Sequence, residues 1–258
     1  MMQPGRRLSL LLILPLLGLA LGGASTPLLV PDVSQRQIDI QYSFKGAELL
    51  LFGAIIYPGG RPPNTRTDVV VVLKGPEQQI RMREKRKIAG IWVNADSLQF
   101  QSAPSFYALA SSRPIKDIAD DRTAAIYELG IDNIQLSPTS FTDSAEISRF
   151  ENGLVDLQKR KGLFVQAPGT VEITDGVLYR AHLPLSARAV VGNYTAETFL
   201  IQNGRVVAAA VRDIDVRKSG LERFVANAAQ DWSLLYGLAA MAVAVLMGIL
   251  AGWIGRRL

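Results

Sequence analysis

Residue types that perform nucleophilic, metal or acid–base chemistry are sparse in this chain. It has no cysteine and a single histidine, His182, which excludes thiolate nucleophiles, zinc ribbons and iron–sulfur ligation. A catalytic triad or a histidine base would have to use His182, and we expect a structural role for it because it lies in a β-like run. Paired carboxylates have no characteristic sequence spacing. A carboxylate-dependent envelope hydrolase therefore stays an alternative, while no catalytic, cofactor or metal residue is predicted.

One small acidic cluster resembles a cation site only in composition. Asp117, Asp120 and Asp121 lie close together, but they lack the D-x-D-x-D-G order of a calcium loop. We interpret the cluster as the solvated start of a helix.

A basic run is the sharpest charge feature. It places five cations within seven residues: Arg81, Arg83, Lys85, Arg86 and Lys87. One interpretation is a solvated hairpin tip whose charges protect an edge strand. The other is contact with anionic phospholipid headgroups or another anionic ligand, because each cation near a charged membrane surface contributes about 1 kcal/mol. Trp92, which follows the run, is expected in the core.

The net charge of +5 does not indicate nucleic-acid binding. Four of the 28 cations, Arg6, Arg7, Arg256 and Arg257, flank the terminal apolar segments. The remaining 24 face 23 anions, so the body is close to neutral and no nucleic-acid partner is expected.

Residues 1–24 have the pattern of a signal peptide. Arg6 and Arg7 precede an apolar run from Leu8 to Leu21, and small residues follow it. As a helix this run would span only about 21 Å, less than the roughly 30 Å of a bilayer core. The pattern predicts export by general secretion, with an uncleaved N-terminal anchor as the alternative.

The C-terminal end has the pattern of a transmembrane helix over residues 232–254. Ser233–Ile254 contains 22 uncharged residues, or about 33 Å of helix. Arg256 and Arg257 follow in the tail 255–258, and the positive-inside rule predicts that this tail is cytoplasmic. We therefore predict a single-pass protein of the bacterial inner (cytoplasmic) membrane, with residues from about Ser25 to Asp231 in the periplasm.

Small residues recur every four positions along this span. Ala240, Ala244, Gly248 and Gly252 would share one helix face, where small side chains let two helices approach closely. The spacing predicts a packing face. Its partner could be a second copy of the chain, forming a homodimer, or a multi-span membrane protein.

The body, residues 25–217, is predicted to be mainly β, as an immunoglobulin-like sandwich. Apolar and polar residues alternate from Ile38 to Phe44, and Asp68–Leu73 reads as a central strand. Short runs of this kind, separated by turn residues, are typical of sandwiches and barrels. Asn203-Gly204 lies between two such runs and predicts a type I′ hairpin turn.

A helical insertion is predicted at about residues 115–162. Residues 115–130 and Ser144–Gly162 carry helical spacing, and either Thr142 or Asp143 can cap the second helix. Two small domains that divide near residue 115 are the alternative. Residues 218–231 are amphipathic and predict a juxtamembrane helix.

The order of these segments, together with several stretches of the amino-acid sequence, resembles one known family. The stretches are FKGAELLLFGAI (Phe44–Ile55), DVVVVLKGP (Asp68–Pro76), the basic block ending at Asn94, PSFYALASSRP (Pro104–Pro114), and VRKSGLERF from Val216 onward. They are similar to the Alph_Pro_TM family of transmembrane proteins, described mainly from alphaproteobacteria. The resemblance implies no reaction chemistry. It implies an accessory role beside an anion exporter of the sulfite type.

Overall fold

The computed structural model describes residues 26–40, 46–139, 143–218, 225 and 228–255. The predicted signal peptide, residues 219–224, 226 and 227 of the predicted juxtamembrane helix, and the topology residues Arg256 and Arg257 lie outside the described residues.

Within that part of the chain, β-strands dominate. In order they are β1 (Leu28–Val33), β2 (Gln37–Ile40), β3 (Ala47–Ile56), β4 (Thr67–Lys74), β5 (Glu77–Ile88), β6 (Ile91–Pro104), β7 (Tyr107–Ser111), β8 (Ser137–Pro138), β9 (Phe164–Pro168), β10 (Val171–Thr174), β11 (Leu178–Leu185), β12 (Gly192–Gln202) and β13 (Arg205–Lys218). The helices are α1 (Ile115–Ile118), α2 (Asp121–Ile126), α3 (Ser144–Arg160) and α4 (Ser233–Gly255), with a 3₁₀ turn at Ile131–Asn133. The prediction of a mainly β protein with one C-terminal apolar helix is confirmed.

Two of the three sheets pack face to face around one apolar core. The first has the order β1-β3-β11-β10, and the second has the order β2-β13-β12-β4-β7-β9. Most pairs are antiparallel, while β2–β13 and β7–β9 are parallel. Both sheets contain strands from before and from after residue 115. The core is built from the inward side chains of both sheets, including Leu49, Leu51, Tyr179, Leu183 and Leu200.

The central strand β4 is buried on both faces. All residues from Asp68 to Leu73 are buried. A strand that is covered on both faces is typically a continuous apolar run rather than an alternating one, and this strand has that pattern. Apolar residues of the 115–133 segment, among them Ile118 and Leu129, join the same core. The prediction that Asp68–Leu73 forms a central strand is confirmed.

The first half of the predicted helical insertion is broken. Ala119 is extended and bridges to Gly204. The next residue, Asp120, accepts a hydrogen bond from the Thr123 amide at 2.7 Å and starts α2 as its N-cap. The acidic cluster therefore marks a helix start, as predicted. The second half is a single helix, α3, in which the Asp143 side chain accepts from the Ala145 amide.

Strands β5 and β6 form one long hairpin that contains the basic run. β5 and β6 pair along their whole length as antiparallel strands. Ala89 and Gly90 form their turn with φ values of 50° and 86°, the left-handed pair that a type I′ turn requires. The basic run therefore lies along β5 instead of at the tip. The predicted core position of Trp92 is also wrong, because 66% of its surface is exposed.

Strands β1 and β9 are absent from the sequence prediction. β1 contains Pro31, which cannot donate to a ladder and is tolerated only at a sheet edge. β1 is such an edge strand, and Arg212 Nε donates to the Pro31 carbonyl at 3.0 Å. By contrast, the turn predicted at Asn203-Gly204 is confirmed, with φ values of 51° and 80°.

One helix in the described part of the chain is long and apolar enough to cross a membrane. It covers Ser233–Gly252, and none of that window is buried against the body.

Candidate functional site

The β5–β6 hairpin extends from the six-stranded sheet, and we call it the arm (Glu77–Pro104). The Gly75 amide donates to the Phe106 carbonyl at 2.8 Å, and the Ser105 amide donates to the Pro76 carbonyl at 3.0 Å. These two bonds continue the β4–β7 ladder into the arm. The arm therefore begins where β4 ends.

Helix α3 braces one side of the arm. A separate apolar cluster joins them, formed by Leu98, Phe100, Ala103, Phe150 and Leu154. Farther along, Arg149 Nη2 lies 3.1 Å from Glu84 Oε2 and 3.4 Å from Asp96 Oδ2. Because these contacts hold both strands, the arm is supported up to the Glu84–Asp96 pair, and residues 85–95 beyond it are exposed within the described part of the chain.

Four of the five predicted cations share the other face of the arm. Arg81, Arg83, Lys85 and Lys87 alternate along β5 and are all exposed, as the two-residue period of a strand dictates. The described residues provide no ion pair for any of the four. Arg86 differs, because it points to the opposite face and pairs with Asp96 and Glu84.

The tip of the arm is apolar and exposed. Ile88, Ile91 and Trp92 expose 57%, 68% and 66% of their surface, and Val93 exposes 37%. Trp92 lies opposite Lys87 in the ladder, so it ends the row of cations. The side chains of this tip therefore have the composition of an interfacial surface, with an aromatic ring between apolar and cationic neighbours. The Ala-Gly pair between two isoleucines is the sequence signal that could have located it.

A second exposed apolar surface lies on the outward face of the four-stranded sheet, and we call it the sheet face. Its members sit on three adjacent strands: Leu28, Val30, Phe52, Ile56 and Leu178. Register places them together, since Leu28 pairs with Ile56, and both Val30 and Leu178 pair with Ala54. A depression of about 350 Å³ lies over Phe52, Ala54 and Leu178. Sequence reasoning missed this surface because it missed β1.

His182 lies on the same sheet, beyond the apolar part of that face. Its Nδ1 is 3.1 Å from Glu48 Oε1, and about half of the His182 side chain is exposed. Nothing else among the described titratable groups is paired with it. The geometry is that of an exposed contact between an imidazole and a carboxylate.

A carboxylate cleft of about 440 Å³ lies on the opposite sheet. Lys74 Nζ sits 2.6 Å from Glu128 Oε2 and 3.2 Å from Glu197 Oε2, and Glu77 also lines the cleft. Burial by itself lowers the pKa of Lys74, but hydrogen bonds and charges from Glu128 and Glu197 outweigh it and raise that pKa above 10.5. In the sequence, Lys74 is a single charged residue at the end of an apolar strand, and this position could have indicated that it has an acidic partner.

The Lys74 cluster does not have the arrangement of an acid–base pair. A two-carboxylate hydrolase needs one acid protonated while the other stays ionised. Here Lys74 Nζ contacts both carboxylates, so the geometry does not give the two acids different roles. The backbone around Glu128 is also fixed, because Tyr107 Oη donates to its carbonyl at 2.7 Å and accepts from the Gly130 amide. The cluster therefore fastens the 126–135 loop to the sheet.

The remaining predicted residues are separate from these surfaces. Within the described residues, no group of three or more acidic or histidine side chains is placed to hold a metal ion. In α4 the small residues Ala240, Ala244, Gly248 and Gly252 share one face by spacing, and nothing described lies within 4 Å of a Cβ built on either glycine. A helix–helix contact there stays a prediction.

The fold and the apolar helix define the class of protein: a mainly β body followed by one candidate membrane span. The chain belongs to the Alph_Pro_TM family, whose model is described as "Putative transmembrane protein" and matches residues 28–257. A comparison with curated proteins found no match.

Proposed function

We propose that the protein is a membrane-anchored periplasmic interaction module that serves as an accessory component of an anion exporter of the sulfite type. In this proposal α4 holds the body at the inner membrane, and the sheet face binds the periplasmic surface of a multi-span partner. The choice of an anion exporter as the partner rests on the family resemblance. The proposed interaction role rests on the exposed apolar sheet face.

The observation that carries the proposal is the sheet face itself. Soluble monomers rarely expose a contiguous apolar patch of this kind without a use for it. Its five large apolar side chains lie at neighbouring positions on three adjacent strands, around a depression. Charged residues flank Phe52 on both sides, because it pairs with Asp32 and with Arg180. An apolar centre with a charged border is the anatomy of a protein interface.

We also propose that the body is an immunoglobulin-like sandwich, and the strand order supports this. That fold has sheets A-B-E-D and G-F-C. The first sheet here, β1-β3-β11-β10, has the A-B-E-D order if β1 is strand A. In the second sheet β13, β12 and β4 then take the places of G, F and C. The long β5–β6 arm and the helices are insertions between C and D.

A tyrosine at the start of β12 supports the same assignment. Tyr194 is fully buried, and its hydroxyl donates to the Val190 carbonyl at 2.7 Å. A buried tyrosine near the start of strand F, bonded to the backbone a few residues upstream, is typical of immunoglobulin-like domains.

The location follows from the export signal and the arginine tail of the sequence. Protease added to intact spheroplasts is expected to digest the body and leave only an anchor-sized fragment, because residues 26–231 would lie outside the cytoplasmic membrane. The fragment is detected by a C-terminal tag. A body that survives until the membrane is lysed contradicts the periplasmic orientation.

The accessory role is tested by crosslinking from the sheet face in living cells. A photoreactive amino acid at Phe52 of the full-length chain is expected to give an adduct with a multi-span membrane protein. The double variant Leu28→Asp with Leu178→Asp should reduce the yield of that adduct about tenfold or more, since burying an unpaired carboxylate in an interface opposes docking. Identification of the adduct by mass spectrometry decides whether it is an anion exporter.

The matched control places the same photoreactive group at Ile126. This side chain is 58% exposed, but it lies on α2, on the other side of the sandwich. An adduct of equal yield from Ile126, or an adduct from Phe52 that the aspartates do not reduce, contradicts the assignment of the sheet face.

A further inference from the structure

We propose that the arm is a second membrane contact, whose tip inserts into the anionic headgroup region of the bilayer that holds α4. This inference rests on the membrane anchorage in the proposed function and adds the lipid class that the body itself recognises. The occupant is the bilayer surface rather than a soluble anion or a protein.

The side chains at the tip match the interface of a bilayer. Ile88, Ile91 and Trp92 are more than half exposed, and Gly90 has nothing within 4 Å of the position a Cβ would take. The tip therefore projects into open space. An exposed apolar end can enter lipid directly, with the tryptophan ring at headgroup level.

The charges behind the tip match anionic lipid. Arg81, Arg83, Lys85 and Lys87 form one row along a single face and lie over about 20 Å of strand. Neighbouring members are separated by about 7 Å, on an open strand surface instead of a cavity. One small anion could not contact the whole row, whereas a surface of many headgroups could. Each cation near such a surface contributes about 1 kcal/mol.

The arm begins at the end of the body from which the chain leaves for the anchor. β4 is antiparallel to β12, and β12 is antiparallel to β13, so β4 and β13 run in the same direction. β4 leads into the arm, and β13 leads toward α4. At that end Gly192 pairs with Val216 of β13, and a Cβ on Gly192 would lie 2.9 Å from Pro76 at the root of the arm.

The arm is long enough to reach the bilayer. β5 contains 12 residues, which at about 3.3–3.4 Å each make the arm about 40 Å long. Residues 219–232 join β13 to α4 and span about 21 Å if they form the predicted helix. Fully extended, they span about 48 Å at most. The arm is therefore longer than the tether when the tether is helical, which is the state that places the tip at the bilayer, and α3 supports the part of the arm up to the Glu84–Asp96 pair.

The test uses Trp92 as a fluorescent reporter in the full-length chain. Trp232→Phe and Trp253→Phe leave it as the single tryptophan of the sequence. The protein is reconstituted into vesicles of brominated phosphatidylcholine, with or without phosphatidylglycerol, because bromine quenches only tryptophan that lies within the bilayer. We expect Trp92 emission to fall about twofold or more with phosphatidylglycerol, and to fall less without it.

Two matched variants separate insertion from general proximity. Trp92→Phe with Thr65→Trp moves the reporter to an exposed position before β4, at the opposite end of that strand, and its emission should not be quenched. The second variant replaces all four cations of the row by glutamine (Arg81→Gln, Arg83→Gln, Lys85→Gln and Lys87→Gln). In it, the quenching of Trp92 emission should no longer depend on phosphatidylglycerol. Circular dichroism checks that both variants keep their strand content.

Each outcome decides one proposal. Protein that floats with the vesicles but shows no quenching of Trp92 overturns the arm contact and leaves the anchorage standing. Protein that fails to float overturns the anchorage, and this inference falls with it. Equal quenching at residues 65 and 92, or quenching that the Gln variant does not alter, also contradicts insertion of a lipid-selective tip.

Discussion

Asp68→Ala is expected to lower the free energy of unfolding by about 2–3 kcal/mol, the upper range for hydrogen bonds to a charged group. This is less than the roughly 3–5 kcal/mol for a fully buried ion pair, because 27% of the Arg113 side chain is exposed. Asp68 is 6% exposed. Its carboxylate accepts from Ser112 Oγ at 2.8 Å, from Arg113 Nε at 3.0 Å and also from Arg113 Nη2. Removing it leaves the guanidinium without its partner beside the first turn of β4. Urea unfolding of the detergent-solubilised chain, followed by circular dichroism, measures the change.

The pH dependence of this pair has a definite sign. Burial by itself raises the pKa of Asp68, but the hydrogen bonds from Arg113 and Ser112 outweigh it and hold that pKa below 3.8. A carboxyl group whose pKa is depressed by folding stabilises the protein above its ordinary pKa and loses that contribution as the pH falls through the folded-state value. Wild type should therefore lose more stability below pH 3.8 than Asp68→Asn does.

A double-mutant cycle with Arg113→Ala supplies the control for Asp68. If the two residues act as a pair, the double variant should be much less destabilised than the sum of the single variants. Additive effects, or a loss below about 1 kcal/mol for Asp68→Ala, would show that the pair contributes little, as exposed salt bridges do.

Gly53→Ala is expected to destabilise the body by about 3 kcal/mol, at the upper end of the range for overpacking. Gly53 lies in the centre of β3, opposite Pro31 of β1 and Tyr179 of β11. A Cβ there would lie 2.5 Å from the Val30 carbonyl oxygen and 2.9 Å from Pro31 Cα. Both atoms belong to backbone, so β1 would have to move away from the sheet. Since β1 carries part of the sheet face, crosslinking from Phe52 should weaken as well.

Gly153→Ala is the matched control, because the same change should have the opposite sign. Gly153 is exposed within α3, and a Cβ there meets only Met82 Cε at 3.9 Å, an ordinary contact. Alanine has the higher helix propensity, so a gain of about 0.5–1 kcal/mol is expected. Unfolding midpoints that move in the same direction for both variants would contradict the steric argument.

Sequence determined those features whose physical cause is local. The apolar span of α4 was predictable because insertion into lipid depends on a continuous run of residues. The α3 helix was predictable from its spacing and from Asp143 at its start. The Asn203-Gly204 turn was equally predictable, since positive φ at two successive residues selects those types.

Only the tertiary structure decided the features that depend on which distant segments meet. Asp68 finds Arg113 at a separation of 45 residues, and Lys74 meets both Glu128 and Glu197. No spacing rule predicts such partners, because they are selected by sheet order and register. β1 contains Pro31, a residue that is disfavoured in a strand unless the strand lies at a sheet edge. Only the sheet order shows that β1 lies at such an edge.

Trp92 shows the same limit most clearly. Its apolar neighbours predicted burial, because an alternating or apolar strand is usually covered on at least one face. Whether a strand is covered depends on what the fold places over it. The ion pairs of α3 with the arm lie at the Glu84–Asp96 pair, and residues 85–95 beyond that point are not covered by any other described part of the chain. Sequence determined that the tip is apolar, whereas the length of α3 and its position along the arm decided that the tip is exposed.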